Sequence, residues 1–142
     1  MALWFECRIR YDRMKENGIV AKVNEPYLVD ALTFSEAESR IVEKVTPLIS
    51  GEFSVSVARK TKISEIFNLG ADRYYLVKVG FIQLDEKTGA EKRAITHILV
   101  GANDFDEALL IFKAGMNGTL ASHEVVSISE TPILEVFPAK VG

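Results

Sequence analysis

The side chains able to carry chemistry are few in this sequence, and they lie apart. The two histidines, His97 and His123, have no cysteine or carboxylate at a metal-ligand spacing, so no zinc site is expected. His97 is the one candidate general base, but isolated in a strand-like stretch it reads first as a tolerated strand residue. Cys7 falls where a second, similar stretch has Val77, which marks a small core hydrophobe rather than a nucleophile. Neither "NGIV" nor "GMNG" has the lysine or the spacing of a phosphate-binding loop. Asp85, Glu86 and Glu91 gather in "DEKTGAE", where a solvated hairpin turn is the simpler reading than a cation site. The residue types predict no catalytic residue, no metal and no cofactor.

Two surface features remain. Arg8, Arg10, Arg13, Lys15 and Lys22 populate the first hairpin-like stretch, and Trp4 shares the outward face of Arg8 and Arg10. A basic strand face bearing an aromatic ring can hold nucleic acid through phosphate contacts and base stacking. Glu6, Asp12 and Glu16 interleave with these cations, so a solvated face competes with that reading. The second feature is apolar. Tyr74, Leu76 and Ile82, joined by Ile95 and Leu99, share the outward side of a second hairpin. Such a row calls for a cover, either the other half of the chain or another chain.

The backbone that must place these residues is written twice. "LVDALTFSEA" from Leu28 faces "LVGANDFDEA" from Leu99 at an offset of 71, with six identical positions. "TKISEIF" from Thr61 faces "TPILEVF" from Thr131 at an offset of 70, and Thr, Ile, Glu and Phe recur in register. "WFECRIRY" from Trp4 faces "YYLVKVGF" from Tyr74, again at 70. Three similar stretches in one order at nearly one offset indicate duplication. Residues 1–69 are expected to form the first repeat and residues 70–142 the second, as two small domains or as one compact domain.

Each repeat opens on an alternating strand. Phe5, Cys7, Ile9 and Tyr11 share one face, matched by Tyr75, Val77, Val79 and Phe81. Turns at "ENG" and "EKTG" supply the glycine that a tight reversal favours. Pro26 cannot donate to a ladder, so the first return strand is expected to be an edge, or bulged, at that point. Thr33 stands three residues before Glu36, and Asp104 three before Glu107, the spacing of a capping box at a helix start. Phe34, Ala37, Ile41, Val45 and Leu48 then keep helical spacing, as do Phe105, Ala108 and Phe112. A third strand and a short extended segment follow in each repeat. The pattern predicts an α+β fold built by internal duplication of a β-β-α-β-β unit, antiparallel sheet with helices packed on one face.

The chain of 142 residues is 48% hydrophobic and 26% charged, which excludes a disordered class. A net charge of −3 argues against broad phosphate binding. No stretch suits a signal peptide or a bilayer span, and a lone cysteine suits a reducing compartment, so a cytoplasmic location is expected.

The phrases "MALWFECRIRYD", "EPYLVDALTFSEAE", "TPLISGEFSV", "LDEKTGAEK" and "SETPILEVFPAK" resemble an uncharacterised bacterial family catalogued only as a domain of unknown function, met mainly in gut-dwelling bacteria. The resemblance spans essentially the whole chain. It implies a bacterial, intracellular protein and no particular activity, cofactor or catalytic residue. The leading functional expectation is a non-enzymatic binding or assembly module that associates with itself or with another protein. A homodimer through Tyr74, Leu76, Ile82 and Leu99 is the preferred form. The alternatives are a nucleic-acid-binding protein using Trp4, Arg8, Arg10, Arg13 and Lys15, and, less favoured, an enzyme with a site between the repeats.

Overall fold

A computed structural model of the chain describes residues 3–139. The element order is β1 (Trp4–Met14), β2 (Val20–Asp30), α1 (Phe34–Val45), β3 (Phe53–Lys60), β4 (Ile63–Phe67), β5 (Arg73–Leu84), β6 (Glu91–Ala102), α2 (Phe105–Gly115), β7 (His123–Thr131) and β8 (Glu135–Phe137). The α+β class and the doubled β-β-α-β-β order are therefore as expected. Among the described residues, eight strands make two four-stranded sheets, ordered β3-β1-β2-β8 and β4-β6-β5-β7. Two compact units contain them, residues 3–61 with 132–139 and Lys62–Thr131.

The first unit buries the inward row of β1. Phe5, Cys7 and Ile9 pack with Tyr27 and Val29 of β2 against Ala37, Ile41 and Val45 of α1. The helix starts where its cap places it. Thr33 Oγ1 accepts from the Glu36 amide at 3.1 Å, while Glu36 Oε2 accepts from the amide of Leu32, one residue before the expected Thr33 partner. The capped start also seats Phe34, whose ring meets Phe5 edge-on at 5.2 Å. Pro26 behaves as its chemistry requires. Its carbonyl accepts from Leu134 at 3.0 Å, so its nitrogen faces the same side of β2, the edge taken only by short β8.

The second unit repeats the arrangement. Tyr75, Val77 and Val79 of β5 pack with Ile98, Val100 and Ala102 of β6 against Ala108 and Phe112 of α2. Asp104 Oδ1 accepts from the Glu107 amide at 2.8 Å, and Tyr75 meets Phe105 edge-on at 6.5 Å. Two glycines permit close approaches here. A Cβ on Gly101 would lie 2.1 Å from the carbonyl oxygen of Asn68, and one on Gly115 would lie 2.5 Å from the Phe67 ring.

Both sheets are mixed rather than wholly antiparallel. β8 joins β2 in parallel, and β4 joins β6 in parallel. The expectation of antiparallel pairing rested on hairpin links, and neither fourth strand is hairpin-linked to the strand it pairs with. Each comes instead from the other sequence repeat. The switch point is marked by the threonine of "TKI" and "TPI". Thr61 Oγ1 donates to the Trp4 carbonyl and Thr131 Oγ1 to the Tyr74 carbonyl, both at 2.8 Å.

Candidate functional site

The basic hairpin does not assemble as a stacking platform. Trp4 is 8% exposed and offers no free ring face. Arg8 donates to Glu6 at 3.0 Å, and Arg59 shares the same carboxylate. Arg10, Arg13 and Lys15 are exposed toward the hairpin tip. Arg13 lies nine positions along β1 from Trp4, roughly 30 Å in a strand. Arg10 and Lys22 also line a shallow depression of about 270 Å³ together with Asp12 and Glu52, so its charges are balanced.

The apolar row of the second hairpin is divided. Tyr74 is 1% and Leu99 0% exposed in the chain by itself, and the Tyr74 hydroxyl accepts from the Gly70 amide at 3.1 Å. Leu76 is half-buried. Ile82 and Ile95 stay open, at 39% and 44%. They have a neighbour that sequence reading missed. Lys78 pairs with Ser127 and Val79 with Val125, leaving Val126 as the bulged residue of β7. Val126 is turned to the outward face, where it is 43% exposed and lies 3.3 Å from the position a Gly80 Cβ would take. Arg93 fills that gap: the same Cβ would meet its Cδ at 2.5 Å, and its guanidinium reaches Glu124 at 2.5 Å.

The same bulge occurs in the first unit with opposite chemistry. Arg8 pairs with Val57 and Ile9 with Val55, so Ser56 takes the place of Val126. Ser56 Oγ donates to Asn24 Oδ1 at 2.8 Å and to the Arg8 carbonyl at 3.3 Å. By the repeat offsets, Arg10, Asp12, Asn24 and Ser56 match Gly80, Ile82, Ile95 and Val126. Four polar side chains correspond to three apolar ones and a glycine.

The titratable groups singled out from sequence form no reactive cluster. Cys7 is buried, and burial, then Glu38 and Glu6, push its thiol up to about 11. It is not a thiolate near neutral pH. His97 lies opposite Lys78 on β5, and its pKa is lowered first by burial and then by Lys78 and Lys62. His123 packs against Phe81 at 5.8 Å, with its Nδ1 3.1 Å from the Ala121 carbonyl. Among the described residues, no group of three or more His, Cys, Asp or Glu side chains converges for a metal ion. Nor is any helix among them long and apolar enough to cross a membrane.

A family profile described as "Domain of unknown function (DUF4494)" matches residues 3–139. The chain belongs to this DUF4494 family. No curated protein and no solved structure matches the chain. In this DUF4494 chain the outward face of β5, β6 and β7 around Gly80 is the candidate interaction site. The sequence held a signal for it, since Gly80 interrupts an outward row of large side chains. The bulge that adds Val126 is set by β5–β7 pairing, which alternation along a single strand does not reveal.

Proposed function

We propose that the chain is a small non-enzymatic binding and assembly module of the cytoplasm, and that it pairs with a second copy through the face around Gly80. The observation that carries this reading is the replacement of Arg10, Asp12, Asn24 and Ser56 by Gly80, Ile82, Ile95 and Val126 at matching positions of one repeated scaffold. A face that is polar in one unit and apolar in the other differs by use rather than by fold. Arg93 and Glu124 border the patch with opposite charges, so a two-fold contact brings each charge toward its complement. Ile82, Ile95 and Val126 are about two-fifths exposed, so covering what remains open contributes about 1 kcal/mol each. Light scattering after size exclusion tests this. The wild type should run as a dimer and Ile95→Glu as a monomer; a wild type that stays monomeric at high concentration rejects the reading.

A second reading, nucleic-acid binding, is supported by the exposure of Arg10, Arg13 and Lys15 on one hairpin. It has less support, because Trp4 is buried and Asp12 lies beside Arg10. Salt-dependent binding of single-stranded RNA that is lost on Arg13→Glu would favour it over the assembly module.

A further inference from the structure

The two exchanged strands meet their receiving edges in the same way. β8 lies on β2 with Tyr27 opposite Glu135, Leu28 opposite Val136 and Val29 opposite Phe137. β4 lies on β6 with Ile98 opposite Glu65, Leu99 opposite Ile66 and Val100 opposite Phe67. The repeat offsets map each of these pairs onto its counterpart. The side chains serve the same ends in both. The glutamate is exposed, the next residue (Val136, Ile66) shares the face of Leu28 or Leu99, and the phenylalanine turns to the helix-covered side. Phe137 stacks on Tyr27 at 5.8 Å, and Phe67 tilts against Phe112 at 6.4 Å. In both sheets the strand comes from outside the repeat that receives it, from before that repeat for β4 and from its far side for β8.

We propose that the edge of β2 at Tyr27–Val29 is a recognition slot for a parallel strand of the pattern Ile-x-Glu-Ile/Val-Phe, and that β8 of a second copy of this chain can fill it. β8 is the segment with the shorter hold: it pairs with β2 at three positions, with the Leu134 amide also donating to the Pro26 carbonyl at 3.0 Å, whereas β4 pairs with β6 at four. Its main-chain bonds supply adhesion, and the alternating Val136 and Phe137 supply selectivity, as in other strand additions to a sheet edge. Exchange between copies is held down by the high effective concentration of the chain's own β8, and it emerges when that segment is unseated. This proposal does not rest on the apolar face around Gly80.

The test uses the full chain carrying Val136→Asp, which places a carboxylate where a buried valine sits and empties the slot. A fluorescent peptide of residues 131–139 should bind this chain saturably. It should bind wild type at least about tenfold more weakly, the factor that 1.4 kcal/mol of competition represents. The peptide of residues 61–69 should also bind, and a 131–139 peptide carrying Phe137→Ala should lose about tenfold or more in affinity. Equimolar Val136→Asp chains, which keep an open slot, and Leu28→Asp chains, whose slot is blocked and whose intact β8 is unseated, should form a 1:1 mixed dimer by light scattering, and adding Ile95→Glu to both should leave it intact. If Val136→Asp does not melt cooperatively, Phe137→Ala in the full chain takes its place with the same readouts. A scrambled peptide binding equally well, or no saturable binding of the 131–139 peptide, overturns the slot. Peptide binding without a mixed dimer overturns the second copy as its occupant.

Discussion

His97 shows how a single side chain is set by its neighbours. Burial, Lys78 and Lys62 all disfavour its charged form, so its folded pKa lies below the unfolded value of about 6.5. The unfolded chain therefore binds the extra proton more readily. The stability contributed by neutral His97 is present above the unfolded pKa and is lost as pH falls through the folded one. The C2 proton of His97, followed by NMR, should titrate below the midpoint of an unfolded-chain histidine, and Lys78→Met should raise that midpoint. A midpoint unmoved by Lys78→Met would remove the lysine from the account. Gly115 makes a steric prediction. An alanine there drives its Cβ into the Phe67 ring, which must shift and disturb the seat of β4. Overpacking of this kind costs about 1–3 kcal/mol, and a urea midpoint unchanged for Gly115→Ala would show that the ring moves freely.

At the scale of elements, the helix starts are decided locally. Thr33 supplies a side-chain acceptor to an amide that the helix itself leaves without a partner. Thr33→Ala should lower stability by about 1 kcal/mol, read from the denaturant midpoint at constant slope. No change in midpoint would mean that solvent caps the helix equally well. The reciprocal half of the capping box departs from its usual geometry. Glu36 turns to the Leu32 amide and also holds Arg40 at 3.0 Å. A side chain with two partners within reach settles between them, a compromise that spacing alone does not reveal.

At the scale of the whole molecule, the strand exchange decides what can fold alone. Residues 1–69 end with β4, which belongs to the sheet of β5 and β6, and lack β8, which completes the sheet of β1 and β2. Residues 70–142 carry the converse deficit. Expressed separately, neither half should melt cooperatively as a monomer, while an equimolar mixture should form a 1:1 complex with a restored melting transition. Circular dichroism melts with analytical ultracentrifugation check this. A half that folds alone as a stable monomer would show that its fourth strand is dispensable.

The sequence by itself determined the elements and their doubling. The inward rows Phe5–Cys7–Ile9 and Tyr75–Val77–Val79, the helix caps and the turn glycines are local patterns, because alternation, helical spacing and capping depend on residues a few positions apart. It also marked "TKISEIF" and "TPILEVF" as equivalent. What it left open was where those segments pair, since a short apolar run fits any edge of the right register and the choice is made by contacts far apart in the chain. Tertiary structure decided four things: the crossing of β4 and β8 into the other repeat's sheet, the bulges at Ser56 and Val126, the burial of Trp4, Tyr74 and Leu99, and the exposure of Ile82 and Ile95. Each depends on which backbone lies alongside which, and that is a property of the assembled sheets.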